Sequence, residues 1–387
     1  SVKYHLREFF NALLLTDTEY AEACHVSKVL RQLPICQASD QPTRCIVSGG
    51  SYLDRVKALK HYLQVAKAPV VILTCHWDLG RILGVRPTWL CDRYDPLANK
   101  KGREASYLLR KTAELIGLRV DGMASVLENT IQAIRSHSEG GFQMNDFLTL
   151  SCAELGKRAF LAGDDETAGM QTLEAARQLD DLRIQLSQDV SLEDSESSSL
   201  EHLLEQVDGY NSPLVLLTSN PAQSAMYIQD LYWTMKRRSR KGKKTNGVLF
   251  DLATVSARQL EELYTYGNSS TLFLNEDLPA SQDLFRVAAS GLTSGIFLRH
   301  VAGAEELSRF IGQIKRLQIT ETISHGRSKS EFGSGPFGIF GNTTRSSSRS
   351  EARSMAYEPI VTAHQLASLP DGEGYLWEQG KLTCIKL

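Results

Sequence analysis

Gly247-Val-Leu-Phe-Asp251, the helical stretch Ala257–Tyr264 and Ser270-Thr-Leu-Phe-Leu-Asn275 follow one another directly in the chain. The first and third are short apolar runs of strand type, and the second places its leucines at helical spacing. Two such strands joined by one helix predict a parallel βαβ crossover. The pattern continues downstream with a helix over Ser281–Ala289, the strand Ser294-Gly-Ile-Phe-Leu-Arg299 and a helix over Ala304–Ile314. Upstream it has the strand Ser212-Pro-Leu-Val-Leu-Leu-Thr218 and a helix over Gln223–Lys236. The second half of the chain therefore reads as an α/β domain with a mostly parallel central sheet flanked by helices.

The first block has the same grammar. A helix over Tyr4–Leu33 precedes a strand over Arg44–Ser48, a turn at Gly49-Gly50 and a helix over Tyr52–Val65. Pro69-Val-Val-Ile-Leu-Thr74 is continuously apolar and β-branched, as expected of a strand covered on both faces. Trp77–Leu83 reads as a short helix and Thr88–Cys91 as a short strand. From Gly102 to Gln188 the strand-like runs stop. Long amphipathic patterns replace them, over Ala105–Leu115, Met123–His137, Met144–Leu150 and Thr167–Leu186. This predicts an all-helical insertion, closed by an acidic, serine-rich linker at 189–208. The expected organisation is 1–100 and 211–387 as two parts of one domain, with 101–210 as the helical insertion. Residues 326–354, rich in Ser, Gly and Arg, read as a flexible loop. Pro359–Val361, a helix over Ala363–Leu369, the turn Pro370-Asp-Gly372 and strands over Gly374–Glu378 and Lys381–Ile385 finish the chain.

Composition excludes several classes. The 387 residues are 42% hydrophobic and 23% charged, which rules out wholesale disorder, a coiled-coil rod and a disulfide-stapled scaffold. Lys and Arg number 43 against 45 Asp and Glu, so the overall charge does not announce a nucleic-acid protein. Seven cysteines are scattered without a Cys-x-x-Cys pair, which suits a reducing compartment and argues against a zinc site; no metal ligand set is expected. No window is long and apolar enough to cross a bilayer, and no signal peptide is legible. The chain begins at Ser1, so a membrane anchor preceding it is compatible with the sequence.

Four constellations carry possible chemistry. Gly49, Gly50 and Ser51 lie between a strand and a helix, where an open α/β sheet presents N–H donors to phosphate. A working phosphate loop also needs Lys followed by Ser or Thr, and only Arg55 offers a cation nearby. An ordinary strand-to-helix turn explains the same residues. Asp251 ends its strand, where nucleotide motors hold Mg²⁺; it equally suits a turn cap. Lys236, Arg237, Arg238, Arg240, Lys241, Lys243 and Lys244 place seven basic residues among nine, either a DNA-phosphate surface or a solvated loop. The Ser/Arg-rich stretch Thr343–Arg353 carries the same two readings.

The order of these pieces resembles the motor domain of type IV secretion coupling proteins, the TraG/TraD-like DNA-translocating ATPases of conjugation. The resemblance rests on Val248-Leu-Phe-Asp251, Leu272-Phe-Leu-Asn-Glu-Asp277, Ile296-Phe-Leu-Arg299 and Ala304-Glu-Glu-Leu-Ser-Arg-Phe-Ile-Gly312. Above all it rests on Pro359-Ile-Val361 with Leu366-Ala-Ser-Leu-Pro-Asp-Gly-Glu-Gly-Tyr-Leu376. Tyr94-Asp-Pro96 matches more weakly. It implies a RecA-like fold, ATP and Mg²⁺ as cofactors, and DNA and proteins of a secretion or conjugation apparatus as partners. It also implies a homo-oligomer, and a cytoplasmic location at the inner membrane face through an anchor outside this chain. Asp251 and Glu276 would be the catalytic positions, Gly49, Gly50, Ser51 and Arg55 the nucleotide-binding ones, and Arg299 an arginine donated to a neighbour. The departures fall on the chemistry. The phosphate-loop Lys is missing, Leu252 stands where a Glu is usual, and Glu276 stands where the family has Gln. The expectation is a coupling-protein-like component with a degenerate ATPase site. The alternatives are an active DNA-translocating hexamer and a non-DNA adaptor that recruits substrates.

Overall fold

The structure, a computed structural model, describes residues 44–85, 93–137, 142–150, 152–161, 166–187, 197–207, 213–252, 255–264, 271–276, 292–300, 302–329, 343–378 and 381–387. The expected helices over Tyr4–Leu33 and Ser281–Ala289 and the strand over Thr88–Cys91 lie outside them. The chain divides into two compact units, Ala304–Ala367 and the remainder.

The larger unit is built on an eight-stranded sheet. Its strands are β1 (Arg44–Ser48), β2 (Val70–Thr74), β3 (Leu214–Leu217), β4 (Asn246–Phe250), β5 (Thr271–Asn275), β6 (Ser294–Phe297), β9 (Glu373–Glu378) and β10 (Lys381–Lys386). Their spatial order is β10-β9-β6-β1-β5-β4-β2-β3. β1 to β6 are mutually parallel, and the terminal hairpin β9-β10 adds two antiparallel strands against β6. All five residues of β2 and of β4 are buried, which is why those runs carry no polar alternation. Helix α1 (Tyr52–Val65) covers the sheet with Val56, Leu59 and Tyr62, each almost fully buried. Burying a side chain of that size contributes about 1.5–3 kcal/mol.

The region after β2 is helical where it is described: α2 (Leu79–Ile82), α3 (Gly102–Leu115), α4 (Ala124–His137), α5 (Met144–Thr149), α6 (Cys152–Leu161), α7 (Glu166–Ser187) and α8 (Leu200–Val207). These helices form a core around Leu108, Leu127, Phe142, Phe147 and Leu179. That core also takes Ala222 and Met226 from α9 (Pro221–Arg240), which precedes β4. The helical region therefore belongs to the same compact unit as the sheet. No helix among the described residues is long and apolar enough to cross a membrane.

One buried network ties the helical region to α9. Lys100, 2% exposed, donates to Asp230 Oδ1 at 2.5 Å, and the Tyr94 hydroxyl donates to Asp230 Oδ2 at 2.8 Å. Asp95 next door accepts N–H bonds from Leu97, Ala98 and Met144. Burial still raises its pKa above the ordinary carboxylate value.

The smaller unit differs from the sequence expectation. Helix α11 (Ala304–Ile311) is followed by β7 (Gln313–Lys329) and β8 (Thr343–Pro359), then α12 (Ala363–Ala367); α10 (Ala257–Tyr264) lies in the larger unit. β7 and β8 pair antiparallel along their whole length. Of the stretch 326–354, expected as a flexible loop, residues 326–329 and 343–354 are strand, and 330–342 lie outside the described residues. Polar composition misleads here because a two-stranded ladder satisfies its peptide groups without a large apolar core.

Candidate functional site

Three residues, Gly49, Gly50 and Ser51, connect β1 to α1. Both glycines adopt positive φ, 83° and 70°. A Cβ on Gly49 would stand 2.5 Å from the Arg299 carbonyl oxygen, so only glycine fits. The turn's N–H groups have protein acceptors. Gly49 N–H donates to Asn275 O, Gly50 N–H to Arg299 O, and Ser51 N–H to Asp54 Oδ2. Ser51 and Asp54 form a capping box that starts α1.

The turn's carbonyl groups face a cation. Arg55 on α1 donates through Nη1 to Gly50 O at 2.9 Å and Gly49 O at 3.3 Å. Its Nη2 and Nε reach Asp251 Oδ2 at 2.7 and 3.2 Å. Asp251 follows β4, and β5 lies between β4 and β1, so the gap is about two strand spacings, roughly 10 Å. The long arginine stem spans it. The pair is buried, with side chains 4% and 8% exposed. Asp251 itself sits at φ 48°, a conformation aspartate tolerates better than most residues. His76 Nε2 lies 3.2 Å from the same Oδ2, whereas the buried Oδ1 has no hydrogen-bond partner among the described residues.

Aromatic rings wall this ion pair. The Tyr52 and His76 rings are 4.7 Å apart, and both meet Phe250 edge-on. The Tyr52 hydroxyl donates to Asp78 Oδ1, and burial followed by the Asp78 charge raises its pKa well above the ordinary phenol value. Cys75 donates to the Asp251 carbonyl, and burial followed by the Asp251 charge raises its thiol pKa. That disfavours the thiolate a nucleophile requires. Beneath the turn, the carbonyl of Leu298 accepts from His300 Nδ1, which in the neutral ring leaves Nε2 to accept the Ser48 hydroxyl. Ser48 and His300 are 1% and 0% exposed, so this dyad fastens the turn rather than meeting substrate.

The structure brings Gly49, Gly50, Ser51, Arg55 and Asp251 together. Glu276, at the end of β5, is exposed, and its N–H bonds to Asn275. Arg299 pairs with Asp371 at 3.0 Å, and its carbonyl serves Gly50. The basic run lies at the sheet end where β4 begins, opposite Asp251. Arg238 is buried and donates to Thr245; Arg237 pairs with Glu104 and Glu201, and Lys241 with Glu201. Lys236 lies over the Tyr232 ring, and Arg240, Lys243 and Lys244 are exposed. His76 and Tyr52 were missed from sequence. The rule that ligands sit beyond the carboxyl ends of parallel strands points to His76, two residues past β2. No cluster of three or more metal-type ligands occurs among the described residues.

The glycine turn after β1 and the acidic residue after β4 both lie at the carboxyl ends of parallel strands, with β5 between them. The fold is that of the conjugative coupling protein TrwB. The unbound monoclinic form of TrwBΔN70 superposes with TM-score 0.57 at 14% identity, covering 93% of this chain and 90% of that one. The trigonal sulphate complex gives 0.58 at 13% identity, covering 93% and 91%. TrwB in complex with ADP and Mg²⁺ gives 0.55 at 13% identity, again covering 93% and 91%. No family model matches the sequence, and neither does any curated protein. The likeness to TrwB is one of fold.

Proposed function

We propose that this chain is a coupling-protein-like component of a conjugation or type IV secretion apparatus that acts by binding partners, with its nucleotide site closed by an internal ion pair. One observation carries the reading: the Arg55 guanidinium lies between the Gly49 and Gly50 carbonyls and Asp251. A phosphate site needs N–H donors and a mobile ammonium aimed at the anion. This turn aims carbonyl oxygens inward and spends its N–H groups on Asn275, Arg299 and Asp54. Asp251 Oδ2 already accepts two arginine N–H bonds. Mg²⁺-nucleotide does not fit these residues as they stand. Opening the site would strand two buried charges, and an unpaired one costs about 3–5 kcal/mol.

Calorimetry of the whole chain with Mg²⁺-ATP tests the reading, with Arg55→Ala and Asp251→Ala alongside. No heat of binding at millimolar ATP is the expected result. Tight binding by the unaltered chain, lost in both variants, overturns it.

A second reading, an active ATPase, draws on Asp251 Oδ1, a buried acceptor without a partner among the described residues. A hydrated cation suits such an atom. TrwB itself is known in complex with ADP and Mg²⁺. This reading requires DNA-stimulated ATP hydrolysis that Asp251→Ala abolishes.

A further inference from the structure

Helix α1 has a cationic outer face. Leu53, Lys57, Lys60 and Gln64 recur at steps of four, three and four residues, so they share one side of the helix, and Lys67 follows just past its end. Leu53, Lys60, Gln64 and Lys67 are exposed, and the Lys57 side chain is 40% exposed. Val56, Leu59 and Tyr62 are buried in the core beneath. The helix has one acidic residue, Asp54, which is buried and committed to the Ser51 cap. From Leu53 to Gln64 the face is about 16 Å long.

Helices whose faces simply meet water interleave their charges. Helix α7 pairs Arg177 with Glu174 and Arg183 with Asp180, and α10 pairs Arg258 with Glu262. The basic run at 236–244 is partly neutralised in the same way, since Arg237 and Lys241 both reach Glu201. On α1 the nearest carboxylate is that of Asp54, 3.8 Å from Lys57. Lys60 and Lys67 have no ion pair among the described residues. Lys57 and Lys60, three positions apart, repel each other. Desolvation lowers the pKa of the Lys60 amine, and no neighbouring carboxylate works against it. The face lacks its counter-charge among the described residues.

An apolar anchor lies at one end of it. The Tyr52 ring is 4.7 Å from that of His76, and its hydroxyl donates to Asp78, which sets the start of α1 beside the loop after β2. Next to these residues in the chain stand Leu53 and Trp77, 61% and 66% exposed. The Arg81 guanidinium lies 5.8 Å from the Trp77 ring centroid. An exposed tryptophan with a charged rim is the anatomy of a protein-protein contact. Three lysines in a line fall short of the roughly four to eight basic residues that make a lipid-binding cluster. Their helical spacing instead offers a ridge along which a second helix packs.

We infer that the lysine face of α1, with Leu53 and Trp77 at its end, docks an acidic amphipathic helix of a partner protein. This rests on the partner-binding reading above and names the surface and the partner's chemistry. Lys57, Lys60 and Trp77 take no part in the Arg55–Asp251 ion pair.

The test is fluorescence anisotropy of a labelled helical peptide, titrated with the whole chain. The peptide carries Glu at every third or fourth position of one side and Leu at one end of that side. Two companion peptides carry Gln or Lys in place of Glu. The chain should bind the Glu peptide, more weakly as salt rises, and neither companion. Lys57→Glu/Lys60→Glu should weaken the Glu peptide by about tenfold or more and take up the Lys peptide instead, a reversal that misfolding does not produce. Trp77→Ser should weaken the Glu peptide by about fivefold. Affinity for the Glu peptide that survives the charge reversal overturns the inference. So does a chain that binds no Glu peptide at low salt, or a reversed chain that binds neither charged peptide. Tighter binding to phosphatidylserine vesicles overturns it as well, as does a self-association in sedimentation that the reversal abolishes. Calorimetry with Mg²⁺-ATP reads Arg55 and Asp251 instead. Failure of docking therefore leaves the closed nucleotide site standing, and uptake of Mg²⁺-ATP leaves the docking standing.

Discussion

Two buried ion pairs in the larger unit resemble each other in chemistry and differ in completeness. Lys100–Asp230 is fully used: one carboxylate oxygen takes the ammonium and the other takes the Tyr94 hydroxyl. Arg55–Asp251 is lopsided. Arg55 Nε and Nη2 converge on Oδ2, Oδ1 is unpaired among the described residues, and the aspartate backbone is at positive φ. A complete network behaves as a rivet, holding the segment before the helical region to α9. The incomplete one lies at the carboxyl ends of the strands, where α/β sheets bind ligands, and strain with an unmet acceptor is what such sites retain. Burial alone does not separate the two; satisfaction of the acceptors does.

The largest expected effect is on the rivet. Asp230→Ala strands Lys100 without its carboxylate and should cost about 3–5 kcal/mol in denaturant unfolding. Gly49→Ala should cost about 2–3 kcal/mol, since alanine meets the Arg299 carbonyl and takes on the positive φ, again read by denaturant. Asp251→Gly should cost about 2 kcal/mol less than Asp230→Ala. Glycine relieves the φ strain, and Arg55 keeps its two carbonyl acceptors. Equal costs for Asp230→Ala and Asp251→Gly would break the comparison.

The smallest effect concerns Glu201, which neutralises part of the basic run. Burial works to raise its pKa, but the Lys241 hydrogen bond and the charges of Arg237 and Lys241 win and hold it below its ordinary value of 4.5. A carboxylate depressed in the folded state adds stability above its ordinary pKa and loses it as pH falls through the folded value. Glu201→Gln should therefore lower thermal stability slightly above pH 4.5, by about a few tenths of a kcal/mol, and make no difference well below it.

Much of the fold was legible because it is written locally. The continuous apolar runs of β2 and β4, the leucine spacing of α10 and the Gly-Gly turn each carry their own signal over a handful of residues. The candidate site was legible only in part. Arg55 and Asp251 were each singled out, Arg55 as a phosphate ligand and Asp251 as a Mg²⁺ holder. Nothing in either segment says that they bind each other. Likewise the basic run reads as uniform, yet the folded chain buries Arg238 and sets Glu201 between Arg237 and Lys241.

The sequence by itself determined the alternation of strand and helix and the helical character of the middle region, because both rest on periodicities of two and 3.6 residues. It also determined that arginines recur at even steps through 345–353. Only the tertiary structure decided that Arg55 meets Asp251, 196 positions away, and that β7 and β8 pair in a register placing Arg327 opposite Arg345. Ion pairing and strand register are properties of segments brought together from distant positions, so no local pattern encodes them.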